Sequence, residues 1–222
     1  MPEKRFGVGL IVPSSNTVME PDFHCALGDG AAVSTARMFL ETVTREAEIV
    51  MVRNELPRAL RLIRTVAPGV VVFGCTSAGS LEELQDDVSL AGAITEVTQT
   101  PVVTVMGAVV QQLERIRPQR IAVFTPYIED LTESVADCIR EAGFNVAQTA
   151  GMGIVGNREI GCVTPGEIVA FVKERIQDAD CLFLSCTNWR AMEAVAALKH
   201  ELNIPVLTSN AACVEAVRAL AG

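Results

Sequence analysis

The sequence predicts an α/β protein built from two similar lobes, each with a mainly parallel sheet. Apolar runs of strand length alternate with segments of helix length along the 222 residues, which is the pattern of repeated βαβ units. Half of the residues are hydrophobic but only 5% are aromatic, as expected for buried parallel strands of Val, Ile, Leu and Ala. The strand pattern also restarts near the middle of the chain, which indicates two lobes.

The first half contains four predicted strands, each a short apolar run bounded by polar residues or glycine. These strands cover residues 6–12, 33–39, 70–73 and 101–105. Predicted helices cover residues 46–65, 81–91 and 108–116. Proline lacks a backbone N–H and clashes with the preceding turn, so we expect Pro57 to interrupt the first helix and start a second helical segment.

The second half repeats this alternation. Its predicted strands cover residues 120–125, 144–149, 181–185 and 205–208. Its predicted helices cover residues 131–142, 165–178, 191–201 and 211–220. Gly143 is a typical stop after the first of these helices, and Pro165 is typical of a first helical turn.

Three pairs of similar segments, in the same order in both halves, indicate a repeat. FGVGLIVP matches RIAVFTP, VVVFGCTSAG matches CLFLSCTNWR, and TPVVTV matches IPVLTS. The junction is expected at the IRPQR segment, residues 116–120. We therefore predict lobes at residues 1–117 and 118–222, with the helix that ends the first lobe able to pack on the other.

Composition and charge argue against several classes of function. The formal net charge is −9, from 27 acidic and 18 basic residues, whereas nucleic-acid binding requires basic surfaces. No apolar stretch reaches the roughly 18 residues of a membrane span, and the N-terminus lacks the apolar run of a signal peptide. We therefore expect a cytoplasmic protein without nucleic-acid or membrane partners.

The seven cysteines and two histidines predict free thiols and no metal. The number of cysteines is odd, no C-x-x-C pair occurs, and a cytoplasmic compartment keeps thiols reduced. No cluster of cysteine and histidine has the spacing of metal ligands. Residues 151–156, GMGIVG, match the G-x-G-x-x-G pattern, but no helix is predicted directly after them. We expect a flexible loop that closes over the cleft there, and no nucleotide cofactor.

Cys75 and Cys186 are the leading candidates for catalysis. Each directly follows an apolar strand and precedes a threonine. Ligands of parallel sheets bind beyond the carboxyl ends of the strands, so both thiols should face the cleft between the lobes. Backbone N–H groups at the following helix starts are expected to lower the thiol pKa and attract carboxylates. Burial as a small apolar side chain is the alternative for one such cysteine, but equivalent positions in two repeats favour catalysis.

Polar residues at other strand ends are candidates for substrate binding. Ser14 and Asn16 follow the first strand, where hydroxyl and amide groups can bind carboxylate oxygens; a helix N-cap turn is the alternative interpretation. Tyr127 holds the equivalent place in the second half, where its phenol can donate to a carboxylate or an oxyanion. Asn157, directly after the glycine-rich segment, is a further candidate carboxylate donor.

The segment GLIVPSSNTVMEPDF at residues 9–23, with the FGCTSAG and LSCTN motifs, resembles the aspartate/glutamate racemase superfamily. Within it, essentially the whole chain resembles the branch of maleate cis-trans isomerases and arylmalonate decarboxylases. The resemblance implies Rossmann-like lobes related by a pseudo-twofold axis, with the active site in the cleft and no metal or nucleotide. It implies that substrate carboxylates are held by Asn16, Tyr127 and Asn157. It also implies oxyanion or carboxylate donors at Thr76, Ser77 and Thr187.

The resemblance implies a cofactor-independent isomerase, with maleate-to-fumarate isomerisation as the leading hypothesis. Maleate isomerases of this type carry both cysteines, whereas arylmalonate decarboxylases have a glycine where Cys75 stands. Cys75 would add to the alkene as a thiolate, giving a succinyl-like adduct, and Cys186 would supply the proton.

Several alternatives stay open at this point. One is two-base racemisation of an amino acid, of the Asp/Glu type or as in ectoine utilisation. Others are an arylmalonate decarboxylase-like reaction and a non-catalytic dicarboxylate-binding protein. The expected partners are a small dicarboxylate or amino-acid substrate and further copies of the chain in a homo-oligomer.

Overall fold

The computed structural model describes residues 5–81 and 87–222, which form two lobes of the same topology. The strands are β1 (Phe6–Pro13), β2 (Ala31–Met38), β3 (Val70–Phe73), β4 (Val102–Thr104), β5 (Ile121–Thr125), β6 (Val146–Gly151), β7 (Cys181–Leu184) and β8 (Val206–Thr208). The α-helices are α1 (Met19–Leu27), α2 (Arg45–Ile63), α3 (Asp87–Thr98), α4 (Val105–Ile116), α5 (Glu129–Glu141), α6 (Asn157–Cys162), α7 (Pro165–Arg175), α8 (Ala191–Leu202) and α9 (Ser209–Ala221).

Each lobe contains a four-stranded parallel sheet, and the strand order is the same in both. The first sheet has the order β2-β1-β3-β4 and the second the order β6-β5-β7-β8. The strands of each matched sequence pair therefore hold equivalent places, with β1 matching β5, β3 matching β7 and β4 matching β8. The predicted α/β fold with two similar lobes is confirmed; the exact boundary after residue 117 stays a prediction.

The central strands are buried along their whole length. All four residues of β3, VVVF, and of β7, CLFL, are buried, because parallel strands are covered by helices on both faces. The edge strands β2 and β6 are more exposed. Helix α4, at the end of the first lobe, packs against α9 of the second, and the buried side chains form one continuous core across both lobes.

Helix α2 runs without interruption through Pro57, so the predicted break there is wrong. Proline removes the N–H bond to the carbonyl of Arg53, four residues earlier. Both residues are exposed, so that carbonyl lies on the side of the helix open to water. The opposite face is buried from Met51 to Ile63, and this packing holds the two halves of the helix in line.

Three other helices differ from the sequence-based expectation. Helices α1 and α6 were not predicted; they are only nine and six residues long, too short for a clear apolar periodicity. Part of the helix expected at 81–91 lies outside the described residues, and α3 extends from Asp87 to Thr98. None of the helices in the described ranges is long and apolar enough to span a bilayer.

Candidate active site

The ends of four strands converge on one cavity between the two lobes. Cys75, Cys186 and Tyr127 each lie two residues beyond a strand, after β3, β7 and β5. Asn16 lies in the turn after β1. The cavity is narrow, with about 10 Å³ of room for the centre of a water molecule. The predicted site residues that line it are Asn16, Cys75, Thr76, Ser77, Tyr127, Asn157, Cys186 and Thr187.

Ser14, the remaining predicted residue, is not among those that line the cavity. Its hydroxyl accepts a hydrogen bond from the backbone N–H of Leu40 at 3.1 Å. The neighbouring hydroxyl of Ser15 accepts one from the Nδ2 atom of Asn157 at 2.7 Å. Because the Ser14 oxygen is used in joining β1 to the segment after β2, its position does not fit the predicted role in substrate binding.

Asn16 connects the two lobes and also starts a helix. Its Nδ2 atom donates to the Oγ1 atom of Thr187 at 3.0 Å, and that hydroxyl donates to the carbonyl of Gly74 at 3.0 Å. Its Oδ1 atom accepts the backbone N–H groups of Val18 and Met19, both at 3.0 Å. The N-cap residue of α1 is Val18, which has no side-chain cap, so Asn16 accepts the first N–H groups of the helix from two residues before the N-cap and also lines the cavity. An amide has two N–H donors, and the second one of Asn16 has no partner in the part of the chain that the structure describes.

Asn157 reaches the cavity from the first position of α6, directly after a loop that both lobes hold. The N–H groups of residues 152–154 donate to carbonyls of residues 125–127 at 2.9 to 3.1 Å. The N–H of Asn157 donates to the carbonyl of Glu41 in the other lobe at 3.0 Å. Helix α6 starts directly after the glycine pattern at 151–156, so the expectation that no helix follows it is wrong. Because these N–H groups already donate to carbonyls, the loop does not fit a nucleotide phosphate; its flexibility stays a prediction.

Burial determines the pKa of the two cavity thiols. Cys75 is 4% exposed and Cys186 is 5% exposed. Burial raises the pKa of Cys75 well above its usual value, and the charge of the nearby Glu48 carboxylate raises it further. Burial also raises the pKa of Cys186 to about 12, although the Tyr127 hydroxyl and the Asn188 N–H stabilise its thiolate. The expectation that the thiol pKa would be lowered is wrong, because desolvation outweighs these hydrogen bonds.

Glu48 places a carboxyl group beside Cys75. It lies in the first turn of α2 and is fully buried. Its Oε1 atom accepts a hydrogen bond from the Ser77 hydroxyl and lies 3.8 Å from the Sγ atom of Cys75. Its Oε2 atom is buried and has no hydrogen-bond partner among the described residues. Burial raises the pKa of this carboxyl group to about 7, against the opposing effect of the Ser77 hydrogen bond.

The hydroxyls predicted as oxyanion donors all have protein partners. Thr76 donates to the hydroxyl of Ser209, 3.1 Å away in the other lobe, while Ser77 donates to Glu48. Thr187 lies between Asn16 and a backbone carbonyl, as described above. These side chains therefore shape and join the cavity walls, and the donors with a remaining N–H are the amides of Asn16 and Asn157.

The polar groups of the cavity suit an organic ligand held by hydrogen bonds. They are thiols, hydroxyls, amides and one carboxyl group. Among the residues that the structure describes, no three histidine, cysteine, aspartate or glutamate side chains are grouped closely enough to hold a metal ion. A small cavity with a few convergent polar groups is typical of an active site for a small molecule.

Comparison with known proteins identifies the family. A family model described as arylmalonate decarboxylase matches residues 8–222. The chain belongs to the arylmalonate decarboxylase family. Among curated relatives of this family member, the maleate isomerase of Nocardia farcinica is 28% identical over 213 residues, which cover 91% of this chain and 84% of that protein.

Solved structures of maleate isomerases share the fold of this arylmalonate decarboxylase family member. One is a cysteine-to-serine variant of Nocardia farcinica maleate cis-trans isomerase with a covalently bound succinylcysteine intermediate. It aligns with a TM-score of 0.91 at 25% identity over 98% of this chain and 93% of that chain. A variant of maleate isomerase Iso from Pseudomonas putida S16, solved with maleate, aligns with a TM-score of 0.88 at 25% identity over 96% and 91%. The predicted family and fold are confirmed.

Two polar side chains of this family member that line the cavity were not predicted. Glu48 lies four residues before Val52, at the start of the buried face of α2, so the helical periodicity of that face could have identified it. Asn188 accepts the N–H of Thr17 at 2.8 Å and donates to the carbonyl of Asn157 at 2.6 Å. Its position after the second cysteine was visible, but these contacts with two distant segments were not.

Replacing Glu48 by glutamine is expected to stabilise the protein above neutral pH. Burial lets the folded protein keep the Glu48 proton to a higher pH than the unfolded chain does. The free energy of unfolding therefore falls as pH rises from the ordinary pKa of 4.5 to about 7, and stays lower above it. At about 1.4 kcal/mol per pKa unit, the loss is roughly 3 kcal/mol. We expect Glu48→Gln to restore most of this lost free energy of unfolding.

Urea unfolding of both proteins at about pH 5 and about pH 8 measures this effect. The variant should be more stable than the wild type by about 2 to 3 kcal/mol at the higher pH, and the gap should shrink at the lower pH. Glu46→Gln, an exposed change in the same helix turn, is the matched control and should alter stability by less than about 0.5 kcal/mol. An equal effect of both variants would contradict the assigned cause.

Proposed function

We propose that this family member is a cofactor-independent maleate cis-trans isomerase that works through a covalent succinyl-cysteine adduct. The observation that carries the proposal is the pair of buried thiols, Cys75 and Cys186, which line one small cavity from equivalent strand ends of the two lobes. The proposal is supported by the similarity to maleate isomerases, one of which holds a succinylcysteine intermediate in a cysteine-to-serine variant.

The proposed reaction begins when the Cys75 thiol loses its proton to solvent and the resulting thiolate adds to one alkene carbon of maleate. The electron pair of the double bond moves to the neighbouring carbon and its carboxylate, and Cys186 gives its proton to that carbon. Rotation about the new single bond brings the two carboxylates to opposite sides. The Cys186 thiolate then removes the proton, the C–S bond breaks, and fumarate leaves with both cysteines restored. Covalent addition replaces one difficult rotation by a series of easier steps.

The donors of the cavity suit the two carboxylates of a four-carbon acid. Asn16 and Asn157 each have one N–H without a partner among the described residues, and Tyr127 places its hydroxyl beside Cys186. Fixed donors near the carboxylate that gains charge during addition stabilise the intermediate without reorganisation. The narrowness of the cavity also favours short substrates over long ones.

The presence of both thiols favours isomerisation over decarboxylation. By the resemblance described above, arylmalonate decarboxylases have a glycine at the position of Cys75. Amino-acid racemisation is the second candidate, since two opposed thiols also suit removal and return of an α-proton. The specific observation that favours it is Glu48, because an ionised carboxylate in the cavity would attract an ammonium group and repel a dicarboxylate. A cytoplasmic location and a homo-oligomeric state stay predictions.

Proton NMR of the reduced protein with maleate tests the proposed function. We expect the maleate alkene signal to be replaced by that of fumarate. Parallel samples hold aspartate or glutamate in D₂O, and phenylmalonate. Exchange of an α-proton without fumarate would assign the protein to the racemases, and phenylacetate without fumarate would assign it to the decarboxylases. No change in any sample would contradict the proposal.

A further inference from the structure

We propose that Glu48 binds the substrate as a neutral carboxylic acid, donating its O–H to a substrate carboxylate, so that dicarboxylate binding takes up one proton. The inference rests on the proposed function, because it concerns how that site accepts a dianion. It makes Glu48 a residue that determines specificity for anionic substrates. It also makes the affinity for the substrate dependent on pH in the neutral range.

The hydrogen bonds of Glu48 assign different roles to its two oxygens. Oε1 accepts from the Ser77 hydroxyl and faces the Sγ atom of Cys75 at 3.8 Å, so this oxygen is an acceptor. Oε2 is buried without a partner among the described residues, and Glu48 lines the cavity. An unpaired buried oxygen is costly unless a ligand satisfies it. A proton on Oε2 makes it a donor, and the carboxylate of a bound substrate is the acceptor it lacks.

Charge in the cavity also favours the neutral form. An ionised Glu48 beside a thiolate and a dicarboxylate would place several negative charges in one buried space. The charge of Glu48 raises the pKa of Cys75, so the neutral acid eases formation of the attacking thiolate. Substrate binding should therefore hold the proton on Glu48 more firmly, as a buried carboxylic acid in an apolar site can stay protonated well above its ordinary pKa.

Among the residues that line the cavity, Glu48 is the group expected to titrate in the neutral range. Burial gives its carboxyl group a pKa of about 7. The other titratable or charged groups that interact with it are Arg45 on the same helix, and Cys75, Cys186 and Tyr127 from the facing segments. Burial raises the pKa of the two thiols and of the phenol far above neutral, so these three groups keep their protonation states near pH 7.

Isothermal titration with succinate, an unreactive four-carbon dicarboxylate, tests the inference without turnover. For the wild type, the dissociation constant should rise about tenfold per pH unit above about pH 7. At about pH 8, titrations in two buffers of different ionisation enthalpy should show close to one proton taken up per succinate bound. Glu48→Gln keeps a neutral side chain with an N–H donor, so its affinity should match the wild type at about pH 6 and stay nearly constant up to about pH 8.5.

The possible outcomes separate this inference from the proposed function. Succinate binding by the wild type with no pH dependence and no proton uptake would overturn the role of Glu48 and leave the isomerase proposal standing. Affinity for succinate that rises with pH, or its loss in Glu48→Gln at about pH 6, would also overturn it. Failure of succinate to bind at any pH, with binding of aspartate that strengthens as Glu48 ionises, would overturn both. The exposed change Glu46→Gln should behave as the wild type does.

Discussion

Cys75→Ala is expected to reduce the kcat/KM for maleate by at least about a thousandfold. Without the thiolate there is no covalent adduct, and rotation about the double bond has no other route in this cavity. Losses of this size are typical when a nucleophile is removed and only binding remains. The rate of fumarate formation by proton NMR measures the effect, and circular dichroism checks that the variant is folded.

The exposed thiol of Cys25 provides the matched control for this experiment. It lies in α1, and the residues that line the cavity do not include it. Cys25→Ala should therefore keep the wild-type kcat/KM. If Cys75→Ala retained activity within about tenfold of the wild type, covalent catalysis by Cys75 would be excluded.

Cys186→Ser is expected to lower the kcat for maleate by a similar factor, for a different reason. Addition of Cys75 can still occur, but a serine hydroxyl is a much weaker acid than a thiol and does not supply or remove the proton at a useful rate. The buried Cys213, which does not line the cavity, gives a matched control in Cys213→Ser. Equal loss in both variants would indicate a general packing defect in place of a proton-transfer role.

The fold was predictable because its signals are local and repeated. The runs that form β3 and β7 contain no polar residues, which indicates strands that are buried on both faces, as in a parallel sheet. The GCT and SCT motifs that follow them are equivalent, so the position of the two thiols in one cleft could be inferred before any contact was known. The continuity of α2 was harder to predict, because it depends on whether Pro57 faces water or the core, and the local sequence does not specify this.

The electrostatics of the site could not be inferred from the same signals. The motifs indicate which N–H groups lie near Cys75 and Cys186, but the net direction of the pKa change depends on the depth of burial, a property of the whole fold. Glu48 was overlooked because it lies beside Arg45 and Glu46, in a stretch that resembles a solvated helix start. Ser14 and Asn16 are two residues apart, and only the conformation of the turn decides which one reaches the cavity.

Intact-mass analysis of Cys186→Ser after incubation with maleate tests the central claim most directly. We expect a mass increase equal to one molecule of maleic acid, located on Cys75 by peptide mapping, because water can slowly protonate the carbon beside the new C–S bond while no thiolate is present to remove that proton again. The increase should be absent in the double variant Cys75→Ala, Cys186→Ser. An unmodified protein under conditions in which the wild type forms fumarate, or an adduct on another cysteine, would contradict the proposed covalent mechanism.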